Sequence, residues 1–164
     1  MNDAEIEAES RALLQPFERS AGESPYELHR ALQDVMDQLV GIFRVQGDLE
    51  AAIGHLHELK LRADSVRVVG TRMFNPGWHL ARDLQNMLVV SEAIARSALL
   101  RKESRGAHSR LDFTGQDAAL AQVNHCVTRG PSGMQVRATP LPQMPSDLKA
   151  LFDPKPAVKQ EVAR

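Results

Sequence analysis

Within thirteen residues, Arg101-x-Glu103-Ser104-Arg105-Gly106-Ala107-His108-x-Arg110-x-Asp112-Phe113 sets three arginines, a histidine and two carboxylates beside Leu99, Leu100 and Phe113. Charges this near apolar surface are paired, with one another or with a partner. Arginine suits either task, because its planar fork holds two carboxylate or carbonyl oxygens at once. Arg101, Glu103, Arg105, His108, Arg110 and Asp112 therefore admit two readings. They close a helix end as an intramolecular cluster, or they fix this chain against another domain, and the two are compatible. A less favoured third reading makes His108 an acid–base group with Glu103 or Asp112, for no substrate that the sequence identifies.

Elsewhere the residue types with chemical reach are poorly placed. His55-x-His57 resembles a metal pair, but residues two apart lie on different faces of a helix, and no matching donors accompany them. His29, His79 and His125 read as isolated surface or satisfied side chains. Cys126, the single cysteine, cannot form an internal disulfide and reads as a buried, inert thiol in a strand. Trp78 and Phe74 read as core or interface packing, and Met36, Met73 and Met87 as core filling. No catalytic, cofactor-binding or metal-binding residue is assigned.

Composition narrows the function classes. With 43% hydrophobic and 25% charged residues in 164, the chain can bury the core of one ordinary domain plus an extension. A net charge of -1 provides no basic field for nucleic acid or an anionic membrane. No apolar run approaches the roughly 20 residues a bilayer span needs, and the cytoplasm is the expected location.

The elements that must position the charged run are mostly helical. A first helix, from about Asp3 to Ser20, carries Ile6, Leu13, Leu14 and Phe17, and Pro16 predicts that it is short or bent. It opens in the middle of a charged helical pattern, which fits either a shortened parent sequence or a simple N-terminal helix. Ser24, Pro25 and Glu27 read as a capping box around a first-turn proline. They start a second helix with Leu28, Leu32, Val35, Met36, Leu39 and Phe43 in one stripe. Gly41 and Gly47 mark its far end. Asp48 then caps a third helix with Leu49, Ile53, Leu56, Leu59 and Val66 inward. Asn75-Pro76 opens the longest helix, predicted to run to Ser104 or Arg105 with Gly106 as left-handed terminator. It offers two apolar faces: Leu80, Leu84, Met87, Ser91, Ile94 and Ala98 on one, Val89, Val90, Ala93, Ser97 and Leu100 on the other. Two faces predict burial on both sides, and neighbouring helices account for only one.

Beyond Phe113, Gln122 to Thr128 and Met134 to Thr139 alternate around the turn-forming Arg129-Gly130-Pro131-Ser132-Gly133, which predicts a β-hairpin. Five prolines from Pro140 to Pro156 break any regular element after the hairpin, and the charged end from Lys155 is expected to fray. The expected fold is mainly α: an up-and-down bundle of three to four helices over residues 1–113, with a β-hairpin extension and proline-rich tail over 114–164.

The charged motif, with Asn86 to Phe113 around it and Val40-Gly41-Ile42-Phe43-Arg44 as weaker support, resembles the C-terminal helical domain of the succinate dehydrogenase and fumarate reductase flavoproteins. L-aspartate oxidase is a relative of that family. The pattern departs at Thr114, where the family usually continues with proline, and at Ala118-Ala119-Leu120, where a tryptophan is common. The resemblance implies the accessory part of an FAD-dependent enzyme interconverting succinate and fumarate. Its partners would be the FAD-binding domain of the parent flavoprotein and an iron–sulfur subunit. It places the parent complex on the inner face of the cytoplasmic membrane. No glycine-rich dinucleotide fingerprint occurs in the sequence, so this chain is expected to bind no FAD alone and to be catalytically silent. In that case an apolar face stays open and the chain self-associates. The competing expectation is a free-standing helical interaction module, closed and monomeric.

Overall fold

The computed structural model describes residues 2–131 and 133–152. Three long helices form the core: α2 (Pro25–Leu39), α3 (Gln46–Ala63) and α4 (Pro76–Leu100). A fourth helix, α1 (Asp3–Glu18), joins this bundle by its last turns. Two-residue strands β1 (Phe43–Arg44) and β2 (Ser109–Arg110) pair in parallel, Phe43 opposite Ser109 and Arg44 opposite Arg110. A 3₁₀ turn, Leu120–Gln122, leads into the antiparallel hairpin of β3 (Val123–Gly130) and β4 (Gly133–Pro140). One turn of helix, α5 (Ser146–Lys149), comes after it.

The helices run up, down and up. The starts of α2 and α4 line one cavity with the segment just after α3, and the charged run gathers the opposite ends. Leu28 and Leu32 of α2, Leu49, Leu56 and Leu59 of α3, and Leu84 and Leu88 of α4 fill the space between. On α4 the buried positions are Gly77, Ala81, Leu84, Leu88, Ser91, Ala95 and Ala98. Their spacing alternates four and three, the seam expected of a helix packed lengthwise on its neighbours. Five of the seven are small, so the backbone itself approaches α2 and α3.

That seam corrects the predicted inner face. Leu84, Ser91 and Ala98 are shared, whereas Ile94 is exposed and Ala81, Leu88 and Ala95 take the inward places. On the second predicted face Val89, Val90 and Leu100 are exposed, Val90 by 56%, so the described residues leave most of that face open. Only Ala93 and Ser97 are half-covered, where the hairpin crosses.

The termini differ from expectation in instructive ways. The capping box sits on α1, where the Asn2 side chain takes the Glu5 N–H and Glu5 returns to the Asn2 N–H, both at 2.9 Å. At α2, Ser24 Oγ accepts instead from Tyr26 N–H at 3.3 Å. Phe43 lies beyond α2 and is exposed, because the helix stops at Leu39 and the chain extends into β1. α4 stops at Leu100, and Arg101 is already extended at φ -84°, ψ 95°. Gly106, with φ +58°, serves a tight turn closed by paired Arg105 and His108 backbone bonds rather than the helix end.

α1 reaches Glu18 with Pro16 inside and buried, and it is held by backbone carbonyls of its last turns. Trp78 Nε1 donates to Leu13 O at 2.7 Å, and Val68 N donates to Pro16 O at 2.8 Å. Trp78 thus packs on the core, whereas Phe74 is 95% exposed, which removes the core half of its expected packing, and Met73 is also exposed, against its expected core filling. Trp78→Phe keeps most of the packing and strands the Leu13 carbonyl. It should cost about 1 kcal/mol in thermal unfolding, with α1 amides losing hydrogen-exchange protection first.

A candidate docking site at the joined helix ends

The charged run is a three-way joint. Arg110, fully buried, donates Nη1 to the carbonyls of Ala98 (2.9 Å), Leu99 (3.3 Å) and Arg101 (3.3 Å), so its guanidinium closes the end of α4. A cation there also meets the negative end of the helix dipole. The other edge of the fork grips Asp112 twice, Nε to Oδ1 and Nη2 to Oδ2, both at 2.8 Å. Asp112 Oδ2 then accepts the Gln46 N–H at 2.9 Å, capping α3 from a distance of 66 residues along the chain. Val45, the residue in the local capping position, has no side-chain oxygen to offer, and the predicted cap Asp48 lies in the first turn.

The end of α2 is closed by Arg44. Its Nε donates to Val40 O (2.9 Å) and Gly41 O (2.8 Å), and its Nη1 meets His108 Nδ1 at 2.8 Å. A guanidinium only donates, so His108 Nδ1 must accept and the proton sits on Nε2, which donates to Arg101 O at 3.1 Å. His108 is therefore neutral. Its pKa is lowered first by burial, against the pull of the Arg101 carbonyl, and then by the positive charges of Arg44, Arg110 and Arg101.

Glu103, also fully buried, is the anionic centre of the second half. Oε1 accepts from Arg101 Nε (2.8 Å) and Arg105 Nε (3.0 Å), and Oε2 from Arg105 Nη2 (3.0 Å) and Asp117 N–H (2.7 Å). The Arg105 hydrogen bond is the main reason its pKa falls to about 2, with burial opposing. Asp112 is likewise held at about 2, chiefly by Arg110. Ser104 ties the loop together: its Oγ accepts from Arg110 N–H at 2.8 Å and donates toward Phe113 O at 2.9 Å. Phe113 lies under the Arg110 guanidinium, 4.9 Å from the ring centre.

All six residues singled out from the sequence thus meet in one place and are spent largely on one another and on helix ends. Four further participants are not among those six site residues: Ser104 and Arg44, which lie in the charged motif and its supporting segment, and Asp117 and the Gln46 amide, which lie in neither. His125, expected to be a bland histidine, is half-buried on β3 against Ser97 of α4, and its Nε2 is buried without a hydrogen-bond partner. His55 and His57 are both exposed on α3, on either side of buried Leu56. Among the described residues no group of three donors is arranged to hold a metal. Cys126 is free and half-buried.

Beside the joint lies a groove of about 550 Å³ between α4 and the hairpin. Val89, Val90 and Ile94 floor it, Val127 and Met134 form its wall, and Arg44, Arg101 and His108 stand at one end. The apolar flank of α4 therefore runs directly into the charged joint.

Residues 29–155 match the family described as the fumarate reductase flavoprotein C-terminal domain. The chain is 35% identical over 122 residues to the fumarate reductase flavoprotein subunit of Haemophilus influenzae, covering 71% of this chain and 20% of that protein. Against the subunit of Helicobacter pylori strain J99 it is 38% identical over 96 residues, 58% of this chain and 13% of that protein. In the apo Mycobacterium smegmatis Sdh1 complex, one chain superposes with a TM-score of 0.78 at 42% identity, covering 90% of this chain and 26% of that one. The Archaeoglobus fulgidus adenylylsulfate reductase shares the fold alone, with a TM-score of 0.74 at 18% identity. The chain thus spans roughly an eighth to a quarter of the length of the proteins it matches.

Proposed function

Because the chain belongs to the family of fumarate reductase flavoprotein C-terminal domains, we propose that it acts as the docking and bracing part of a flavoprotein interconverting succinate and fumarate. The family match over residues 29–155 carries this reading. In it, Arg101, Glu103, Arg105, His108, Arg110 and Asp112 serve two ends. Internally they weld three helix ends into one rigid corner. Externally the partly exposed Arg101 and Arg105, with His108, present that corner to the FAD-binding part, while an iron–sulfur subunit completes the assembly.

The chemistry belongs to the rest of that flavoprotein. A dinucleotide cradle needs a parallel βαβ unit with a glycine-rich turn aimed at the pyrophosphate. The strands among the described residues form two separate two-stranded sheets, and the single parallel pair is two residues long. The described residues do not fit FAD, so no redox step is assigned to them. No helix among them is long and apolar enough to cross a membrane.

The uncovered flank of α4 supports the docking half over a free-standing, closed module. Incubating the purified chain with FAD, succinate and an artificial electron acceptor should give no turnover above buffer and no retained flavin absorbance after desalting. Acceptor reduction that depends on both FAD and succinate would overturn the reading.

A further inference from the structure

The positive end of the groove is not fully compensated. Glu103 is shared by Arg101 and Arg105, and Asp112 is taken up by Arg110. Arg44 has only carbonyl oxygens and the neutral His108 ring as partners, and among the described residues it forms no ion pair with a carboxylate. It is nevertheless half-buried, and the neighbouring Arg110 charge disfavours its own. A half-buried guanidinium without a counter-charge is costly, and an incoming carboxylate would relieve it. Arg44 Nη2 and Arg101 Nη1 donate to no acceptor among the described residues, so donors remain available. Along the same groove Val89, Val90 and Ile94 offer exposed apolar surface on one flank of α4.

Resting on the docking role proposed above, we infer that this groove receives an acidic segment with apolar flanks from the flavin-binding part, its carboxylate between Arg44 and Arg101 and its apolar side chains on Val90 and Ile94. Charge complementarity selects this occupant over a two-fold partner copy, because two-fold symmetry would bring the same arginine-bearing groove face to face with this one. The carboxylate sets register along α4, and the apolar contact supplies the area buried.

The test uses the chain as it stands and a pair of blocked octapeptides, one with a single glutamate between leucines and the other with lysine in its place. Titration followed by arginine side-chain nitrogen resonances and calorimetry should show the glutamate peptide shifting Arg44 and Arg101 signals. The lysine peptide should bind at least about tenfold more weakly, and added salt should reduce the difference. Ile94→Asp alters an exposed position that no capping bond uses, and it should weaken the glutamate peptide by about tenfold or more. Arg44→Gln should do the same, and its circular dichroism shows whether α2 survives the loss of its closing side chain.

Equal binding of the two peptides, binding of neither at millimolar concentration, or indifference to Ile94→Asp would overturn the inference. So would a dimer in light scattering that Ile94→Asp dissociates but that the glutamate peptide does not compete away, which would assign the groove to a second copy. None of these results touches the succinate assay, so the docking chemistry can fail while the family role stands. Turnover by the chain alone would remove that role whichever peptide binds.

Discussion

Arg110→Met should lower the unfolding free energy by about 3–5 kcal/mol, the usual cost of removing one member of a buried charge pair, and the Tm by roughly 10 °C. Methionine nearly fills the space, so the loss is of hydrogen bonds rather than volume. Three carbonyls at the end of α4 lose their donor, and Asp112 keeps its bond to Gln46 N–H but not its counter-charge. Arg110→Lys preserves the charge and should recover less than half of the loss, because one ammonium cannot span both the carbonyl cluster and a two-oxygen grip. Thermal melts by circular dichroism at pH 7 decide this. A methionine variant within about 1 kcal/mol of the parent would mean that Arg110 merely occupies the joint, since that is the scale of one ordinary hydrogen bond.

The reason Arg110 matters so much also explains how far the fold is legible in the sequence. Local signals are read reliably where the physics is local. Asn75-Pro76 opens α4 as expected, with Asn75 Oδ1 accepting Trp78 N–H at 3.1 Å, and the hairpin falls within one or two residues of its predicted strands. The ends of α2, α3 and α4 are different, because each is closed by a side chain from far along the chain or by an extended turn. Asp112 caps α3 across 66 residues, and Arg110 closes α4 from beyond its natural reach in sequence. A local reading looks for the nearest glycine or acidic residue and so selects Gly106 and Asp48.

The inner face of α4 departs from its predicted composition for a related reason. Hydrophobic periodicity favours large side chains, so Leu80, Met87 and Ile94 outweigh Ala81 and Ala95. A close helix crossing reverses that ranking, because only small residues let two backbones approach. The candidate site is legible as a set of residues, since six charged or titratable groups in one short span demand partners. Its wiring is not. Arg44 sits 57 positions before Arg101, and its role arises from the β1–β2 pairing, which brings it alongside Arg110 and within reach of the His108 ring.

Acid should take the joint apart in two stages, and the order is set by the sign of each shift. His108 and His125 both have pKa values lowered from 6.5, mainly by burial. The unfolded chain therefore binds their protons more readily, and their contribution begins to fade as pH falls below about 6.5. Protonated His108 would point an N–H at the Arg44 guanidinium, so this first stage should loosen Arg44 from the β1–β2 corner. Glu103 and Asp112 are held at about 2, against ordinary values of 4.5 and 3.8. Their stabilisation is complete above those ordinary values and is lost as pH falls toward about 2, because over that range the unfolded chain binds protons the folded joint refuses. Unfolding between pH 4 and 2.5 should accordingly take up close to one proton fewer in Glu103→Gln than in the parent, read from the pH slope of denaturant-derived stability. Parallel slopes for the two proteins would mean that Glu103 titrates as an ordinary carboxyl and that the arginines around it are not held to it.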